Sequence, residues 1–252
     1  MLEAILKVTN LKKIYDGKPV VDGISFEVQR GEIFGILGPN GAGKTTTLEM
    51  IETMRPIDDG TIILDGIDVA KNPDAIKRII GIQPQSPAFE EKTRLTECID
   101  YFAATYGEKV DAMQFLKSVN LEDKAKSFPE QLSGGQRQRF SIATALVHNP
   151  KIFFMDEPTT GLDPQARRNL WDLITSIRDK GVTVILTTHY MDEAELLCDR
   201  VAVMDNGRII ALDSPKALIK TLLNKGFSKT QHVEQANLED VFTDLTGKAL
   251  RE

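Results

Sequence analysis

The chain has 252 residues, 41% hydrophobic and 27% charged, an ordinary globular composition that excludes a disordered, collagenous or coiled-coil-dominated protein. Its 31 Lys and Arg against 37 Asp and Glu leave a net charge of −6, so no nucleic-acid partner is expected. Two cysteines (Cys98, Cys198) and three histidines support neither a disulfide framework nor a metal-ligand cluster, and no apolar run approaches the roughly 18 residues that span a bilayer. Glu3 and Lys7 interrupt the apolar start, so no secretory signal is expected, and a reducing cytoplasm is the natural setting.

In chain order, residues 5–8, 24–28 and 61–64 read as half-buried strands with turns at Asp16-Gly17, Arg30-Gly31 and Asp58-Asp59-Gly60, which predicts an N-terminal antiparallel sheet. Residues 32–37 read as a fully buried strand that runs into a glycine loop and then a helix from Lys44. Between about 87 and 147 the pattern turns helical, over 96–106, 110–119 and 134–147, with no convincing strand. Residues 151–156 read as a buried strand, and Asp163-Pro164 opens a helix whose apolar face is Ala166, Leu170, Leu173, Ile174 and Ile177. A buried strand at 182–187, a helix at 191–198 and a hairpin around Asn206-Gly207 follow, and residues 214–252 are more polar and weakly patterned. Apolar strands alternating with helices predict an α/β chain with a mostly parallel core sheet.

Three groups of residues carry chemistry. Gly38, Pro39, Asn40, Gly41, Ala42, Gly43, Lys44, Thr45 and Thr46 satisfy the phosphate-binding loop pattern where physics requires it, between a buried strand and a helix. Backbone N–H groups there curl around phosphate oxygens, the Lys44 ammonium reaches the β and γ phosphates, and the Thr45 hydroxyl suits Mg²⁺. Asp156 ends an apolar strand and Glu157 follows it; downstream of such a loop, this pair suits one carboxylate on Mg²⁺ and one on an attacking water. Ser133, Gly134, Gly135 and Gln136 combine a capping hydroxyl with glycines at a helix start, a second anion site as well as a helix cap. Two phosphate-binding helix starts on one chain suggest that two copies face each other.

These residues resemble the ATP-binding subunit of an ABC transporter, and the resemblance runs over about residues 6–212. Residues 38–45 match the Walker A loop, 132–136 the signature, 152–156 the Walker B strand, and 160–163, ending on Asp163, the D-loop. The resemblance implies that Glu157 is the catalytic base, that His189, after Thr187-Thr188, contacts the γ phosphate, that Gln85 rather than Gln83 joins Thr45 and Asp156 around Mg²⁺, and that Tyr15 stacks on adenine. A lone Tyr or His would otherwise read as packing. More narrowly, residues 191–200, 206–215 and 237–247 resemble the ABC-2 type that includes drug-resistance exporters of the daunorubicin kind. The stretch 93–97, Thr-Arg-Leu-Thr-Glu, departs from the usual Leu-Thr-Val-Arg-Glu, and the tail between Leu223 and Asn237 is short for this group.

The resemblance implies a P-loop NTPase fold of the ABC ATPase type, with an ATPase domain over 1–215, a helical subdomain inserted at about 87–147, and a short C-terminal extension over 216–252. It implies ATP and Mg²⁺, an ATP-bound homodimer or a pair with a similar ATPase subunit, and a separate membrane permease that contacts residues 86–97 and holds the chain at the cytoplasmic face of the membrane. The rival reading is a soluble ABC ATPase of DNA repair or translation; a single loop and a single signature in 252 residues disfavour it.

Overall fold

The structure is a computed structural model that describes residues 3–85 and 87–227. The chain divides into two compact units, 1–218 and 219–252, and both sheets and the candidate site described below lie in the first. The C-terminal resemblance over 237–247 falls outside the described residues.

Strands β1 (Ala4–Tyr15) and β2 (Lys18–Gln29) form a hairpin through Asp16 and Gly17, both at positive φ as a two-residue turn of matching twist requires. After β3 (Ile33–Leu37) and helix α1 (Lys44–Ile51), strand β4 (Asp59–Leu64) pairs with the other edge of β1, and β5 (Ile67–Asp68) with β4. The antiparallel sheet β2-β1-β4-β5 is the one expected, but the turn expected at Asp58-Asp59-Gly60 is displaced. Asp59 and Gly60 already belong to β4, and the chain reverses earlier, around 52–55. Gly60 sits where the β1–β4 register shifts; its φ of +92°, and the 2.4 Å that would separate a Cβ there from the Asn10 carbonyl oxygen, leave room for glycine alone.

Helix α2 (Pro73–Lys77) leads to strand β6 (Ile80–Gln83), followed by helices α3 (Leu95–Thr105), α4 (Ala112–Ser118) and α5 (Gly134–Ala145). Strand β7 (Ile152–Asp156), helix α6 (Pro164–Asp179), strand β8 (Thr183–Thr188), helix α7 (Met191–Leu197), the hairpin β9 (Arg200–Asp205) and β10 (Arg208–Asp213), and helix α8 (Pro215–Asn224) complete the described chain. The second sheet has the order β10-β9-β3-β8-β7-β6, parallel throughout except at the β9–β10 hairpin. Four residues interrupted by Gly81 are too short a run to announce β6 in sequence, yet it closes the parallel edge beside β7.

The apolar residues bury in three groups. One lies between the two sheets and takes in α1 through Leu48, Met50 and Ile51. A second packs the other face of the parallel sheet against α6 and α7 through Leu170, Ile174, Ile177 and Ala194. The third holds α3 and α4 against α5. Helix α5 feeds both of the latter, Ile142 facing the sheet and Phe140 and Ala143 the helices, so it joins the inserted helices to the parallel core. Central strands β3, β7 and β8 are buried along nearly their whole length, and their carboxyl ends open on one side, where open parallel sheets place ligands.

Candidate functional site

Strand β3 delivers the chain to Gly38, whose N–H donates to the Thr188 carbonyl at 3.2 Å; a Cβ on Gly38 would stand 2.1 Å from the Met204 carbonyl oxygen, so only glycine lets the loop leave the sheet here. The loop turns back on itself (Ala42 N–H to Pro39 O, 3.2 Å) and α1 starts at Lys44 behind Gly43, which caps it at φ +100°. The Lys44 side chain is 4% exposed; its Nζ donates to the carbonyls of Gly38 (2.9 Å) and Pro39 (3.2 Å) and lies 3.2 Å from Glu157 Oε1. A cation thus sits in the mouth of a helix N-terminus, an arrangement that attracts anions.

Across from the loop, β7 ends on Asp156. The Thr45 hydroxyl lies 3.2 and 3.1 Å from the two Asp156 carboxylate oxygens, although the two residues are 111 apart in sequence. Next along, Glu157 has a left-handed backbone (φ +47°), uncommon for a side chain of its size. Thr187, wholly buried near the end of β8, holds the Asp156 carboxylate and the Glu157 backbone: its hydroxyl donates to Asp156 Oδ1 and accepts the Glu157 N–H at 3.0 Å, while its carbonyl takes the same N–H at 3.2 Å. Around the Glu157 carboxyl stand Lys44, the Thr160 hydroxyl (3.3 Å from Oε2) and His189 Nδ1 (3.3 Å from Oε1). Burial pushes this carboxyl up, but hydrogen bonds and charge from Lys44 and His189 outweigh burial and hold it below its ordinary value.

Asn40, Gly41, Gly43, Lys44, Thr45, Thr46, Gln85 and Glu157 line one cleft together with Val20. Gln85 is exposed at its rim, whereas Gln83 is fully buried in β6 and donates through Nε2 to the Pro84 carbonyl. Tyr15 does not line the cleft; its ring is held by the Arg55 guanidinium, which hydrogen-bonds Tyr15 Oη at 2.5 Å, with Lys13 Nζ 5.4 Å from the ring centre. Ser133, Gly134, Gly135, Gln136 and Asp163 are also outside it. Ser133 and Gln136 cap α5 reciprocally (Oγ accepting the Gln136 N–H at 3.3 Å, Oε1 accepting the Ser133 N–H at 3.0 Å), and Ser133 and Gly134 face outward. Asp163 caps α6 by accepting the Ala166 N–H at 2.8 Å.

Two residues that sequence reasoning passed over belong to this region. Buried Gln138 on α5 donates to the Pro158 carbonyl at 2.9 Å, tying the helix of the outward-facing Ser133 to the segment after Glu157. Thr187 appears in sequence only as the neighbour of His189; its double hydrogen bond exists only because β7 and β8 pair in register, Asp156 opposite Thr187. A lysine at a helix start, paired oxygen donors from Thr45 and Asp156, and a carboxylate kept ionised can together grip a polyphosphate, hold a hard cation and accept a proton from water.

A family model described as ABC transporter matches residues 21–160. The chain is 40% identical over 223 residues to the linearmycin resistance ATP-binding protein LnrL of Bacillus subtilis (strain 168), covering 86% of this chain and 72% of that protein. It is 43% identical over 261 residues to the Nod factor export ATP-binding protein I of Burkholderia thailandensis, covering 99% and 86%. Among solved structures, an ATP-binding subunit of an ABC transporter superposes with a TM-score of 0.77 at 29% identity, covering 96% of this chain and 99% of that one. The structure of cbiO1 from Clostridium perfringens, part of the ABC transporter complex cbiONQ, gives 0.78 at 30%, covering 88% and 94%.

Proposed function

The chain belongs to the ABC transporter family as an ATP-binding subunit that hydrolyses ATP, and from that premise we propose that it powers an exporter, closing on a second ATPase subunit around ATP and opening after hydrolysis. The export and resistance names of its relatives favour this over a soluble repair or translation ATPase. The ATPase domain is taken as residues 1–215, with 216–252 as a C-terminal extension.

The observation that carries the reading is the convergence of Lys44, Thr45, Asp156, Glu157 and His189 at the ends of β3, β7 and β8. N–H groups of the loop and the Lys44 ammonium bind the phosphates of ATP. The Thr45 hydroxyl and Asp156 carboxylate, about a hydrogen bond apart, and the Gln85 amide oxygen on the same cleft are hard oxygen donors that fit Mg²⁺. Bound there, Mg²⁺ would supply charge neutralisation to the phosphates. Glu157, ionised because Lys44 and His189 hold it so, takes a proton from the attacking water, and His189 stands where it can meet the γ phosphate. Tyr15 offers the face for adenine. Ser133, Gly134, Gly135 and Gln136, none of which lines its own chain's cleft, complete the site of the opposite subunit, and Asp163 joins them there.

A separate permease docks, in this reading, on the groove just past Gln85, lined by Pro84, Pro87, Ala88, Phe102, Tyr106 and His148, and holds the chain at the cytoplasmic face of the membrane. No helix among the described residues is long and apolar enough to cross a membrane. Phe89 serves this groove from within: its ring centre lies 4.9 Å from that of Phe140 and 6.4 Å from that of Phe102, so it belongs to the packing of the helical subdomain more than to a docking face.

The reading is tested by Glu157→Gln in the purified chain. The amide can still orient water but cannot accept its proton, so ATP binding should survive while steady-state hydrolysis falls by at least about a hundredfold, and MgATP should convert monomer to dimer in light scattering. Wild-type turnover in this variant would remove Glu157 as the base.

A further inference from the structure

His189 does not stand alone at the end of β8. Its ring packs on that of Tyr190, centres 4.1 Å apart and planes at 37°, and the Arg167 guanidinium lies 4.5 Å from the Tyr190 ring centre. Arg167 is in the first turn of α6, where its own N–H donates to the Asp163 carbonyl at 3.0 Å. Its Nη1 donates to Asp192 Oδ2 at 3.4 Å, and its Nε is buried with no hydrogen-bond partner among the described residues. Asp192 is largely exposed, so that ion pair contributes little, and the face of the Tyr190 ring is the main thing the guanidinium meets. One turn further along α6, Trp171 Nε1 donates to buried Glu193 Oε1 at 3.1 Å. Helix α6 therefore clamps the start of α7 at two successive turns, while the Tyr190 N–H is held by the Thr188 hydroxyl at 3.0 Å.

We propose that Arg167 is a positioning residue for His189. By fixing the plane of the Tyr190 ring, on which the imidazole rests, it keeps His189 Nδ1 at the Glu157 carboxylate and ties that setting to the segment ending in Asp163. The inference rests on the reading of His189 as a residue of the ATP site given above. A cation over an aromatic ring at a half-buried site is strong enough to select one ring orientation, and a side chain just beyond the end of a strand has few other restraints.

The test uses the full chain, with steady-state ATPase kinetics and NMR of the histidine rings, of which the chain has three. Arg167→Leu should lower kcat on the order of tenfold with KM for ATP changed less than about twofold. Arg167→Lys should recover part of the loss, and Tyr190→Phe should behave as wild type because the ring is kept. Tyr190→Ala should match Arg167→Leu, with the double variant no worse than either. The His189 ring resonance should move in Arg167→Leu while that of His148, stacked on Tyr106, stays. Equal changes in kcat and KM, additive losses in the double variant, or an unmoved His189 resonance would overturn the proposal. Should Arg167→Leu fold poorly, Arg167→Lys and Tyr190→Ala carry the same comparison. A His189→Ala chain with wild-type kcat would instead defeat the reading of His189 itself, whereas a crippled His189→Ala beside a silent Arg167→Leu would defeat only this inference.

Discussion

Glu52, at the carboxyl end of α1, is 5% exposed, and its carboxyl is pushed up from 4.5 to about 8 by burial first, then by the charges of Asp156 and Glu49. The unfolded chain releases this proton near pH 4.5, but the folded chain keeps it until about pH 8, so the neutral acid favours folding most at low pH and stability falls as pH rises between those values. At about 1.4 kcal/mol per pH unit, a gap of some three and a half units amounts to about 5 kcal/mol, a large part of the about 5–15 kcal/mol that holds a domain together. Glu52→Gln keeps the shape of the protonated acid and removes the titration. Urea unfolding of the full chain without nucleotide or Mg²⁺, at about pH 5 and again at about pH 8, measures the effect. The variant should match wild type at the lower pH and exceed it by several kcal/mol at the higher one. Parallel stability profiles for the two proteins would show that Glu52 is ionised in the fold and that the burial argument is wrong.

Thr187→Val should cost about 1–3 kcal/mol and lower Tm by several degrees, because the Asp156 carboxylate loses a buried donor, whereas Thr187→Ser should stay close to wild type in a thermal scan. Ser133→Arg should abolish hydrolysis while nucleotide still binds its own Lys44 loop, as read by fluorescent-nucleotide titration. Mixed with a Lys44→Ala chain, it should regain partial ATPase activity, since one composite site then has both an intact loop and an intact signature; silence from confirmed heterodimers would reject the shared site. At the groove beyond Gln85, a bulky charge at exposed Ala88 (Ala88→Glu) should uncouple transport in membranes while the isolated subunit keeps its basal ATPase activity within about twofold, because Ala88 makes no part of the ATP cleft.

Where function depends on contiguous residues, it was legible before the fold was known. Residues 32–51 declare strand, glycine loop and helix in order, and the helix does begin at Lys44. Asp163-Pro164 marks a helix start, and Asp163 caps it; Asn206-Gly207 marks a hairpin, and both residues adopt the positive φ that such a turn needs. In each case the signal lies within the few residues whose backbone it governs. The turn expected at Asp58-Asp59-Gly60 went astray because a glycine at positive φ serves a bulge as well as a turn, and only the partner strand distinguishes them. Within the stretch 86–97 that the resemblance assigns to the permease, Phe89 packs on Phe102 and Phe140, contacts between distant segments that no local pattern announces.

What the amino-acid sequence determined by itself is the set of chemical groups and the local geometry that presents them: the phosphate loop, the Asp156-Glu157 pair, the two capped helix starts. Tertiary structure decided which groups meet. It set Thr45 against Asp156, hung the Asp156 carboxylate and the Glu157 backbone on Thr187, laid Arg167 over the ring beside His189, and buried Glu52 near Asp156. Those pairings follow from strand register and helix packing between distant segments, and the ionised Glu157 and protonated Glu52 follow from the burial and neighbouring charge that the packing creates; neither leaves any periodicity along the chain.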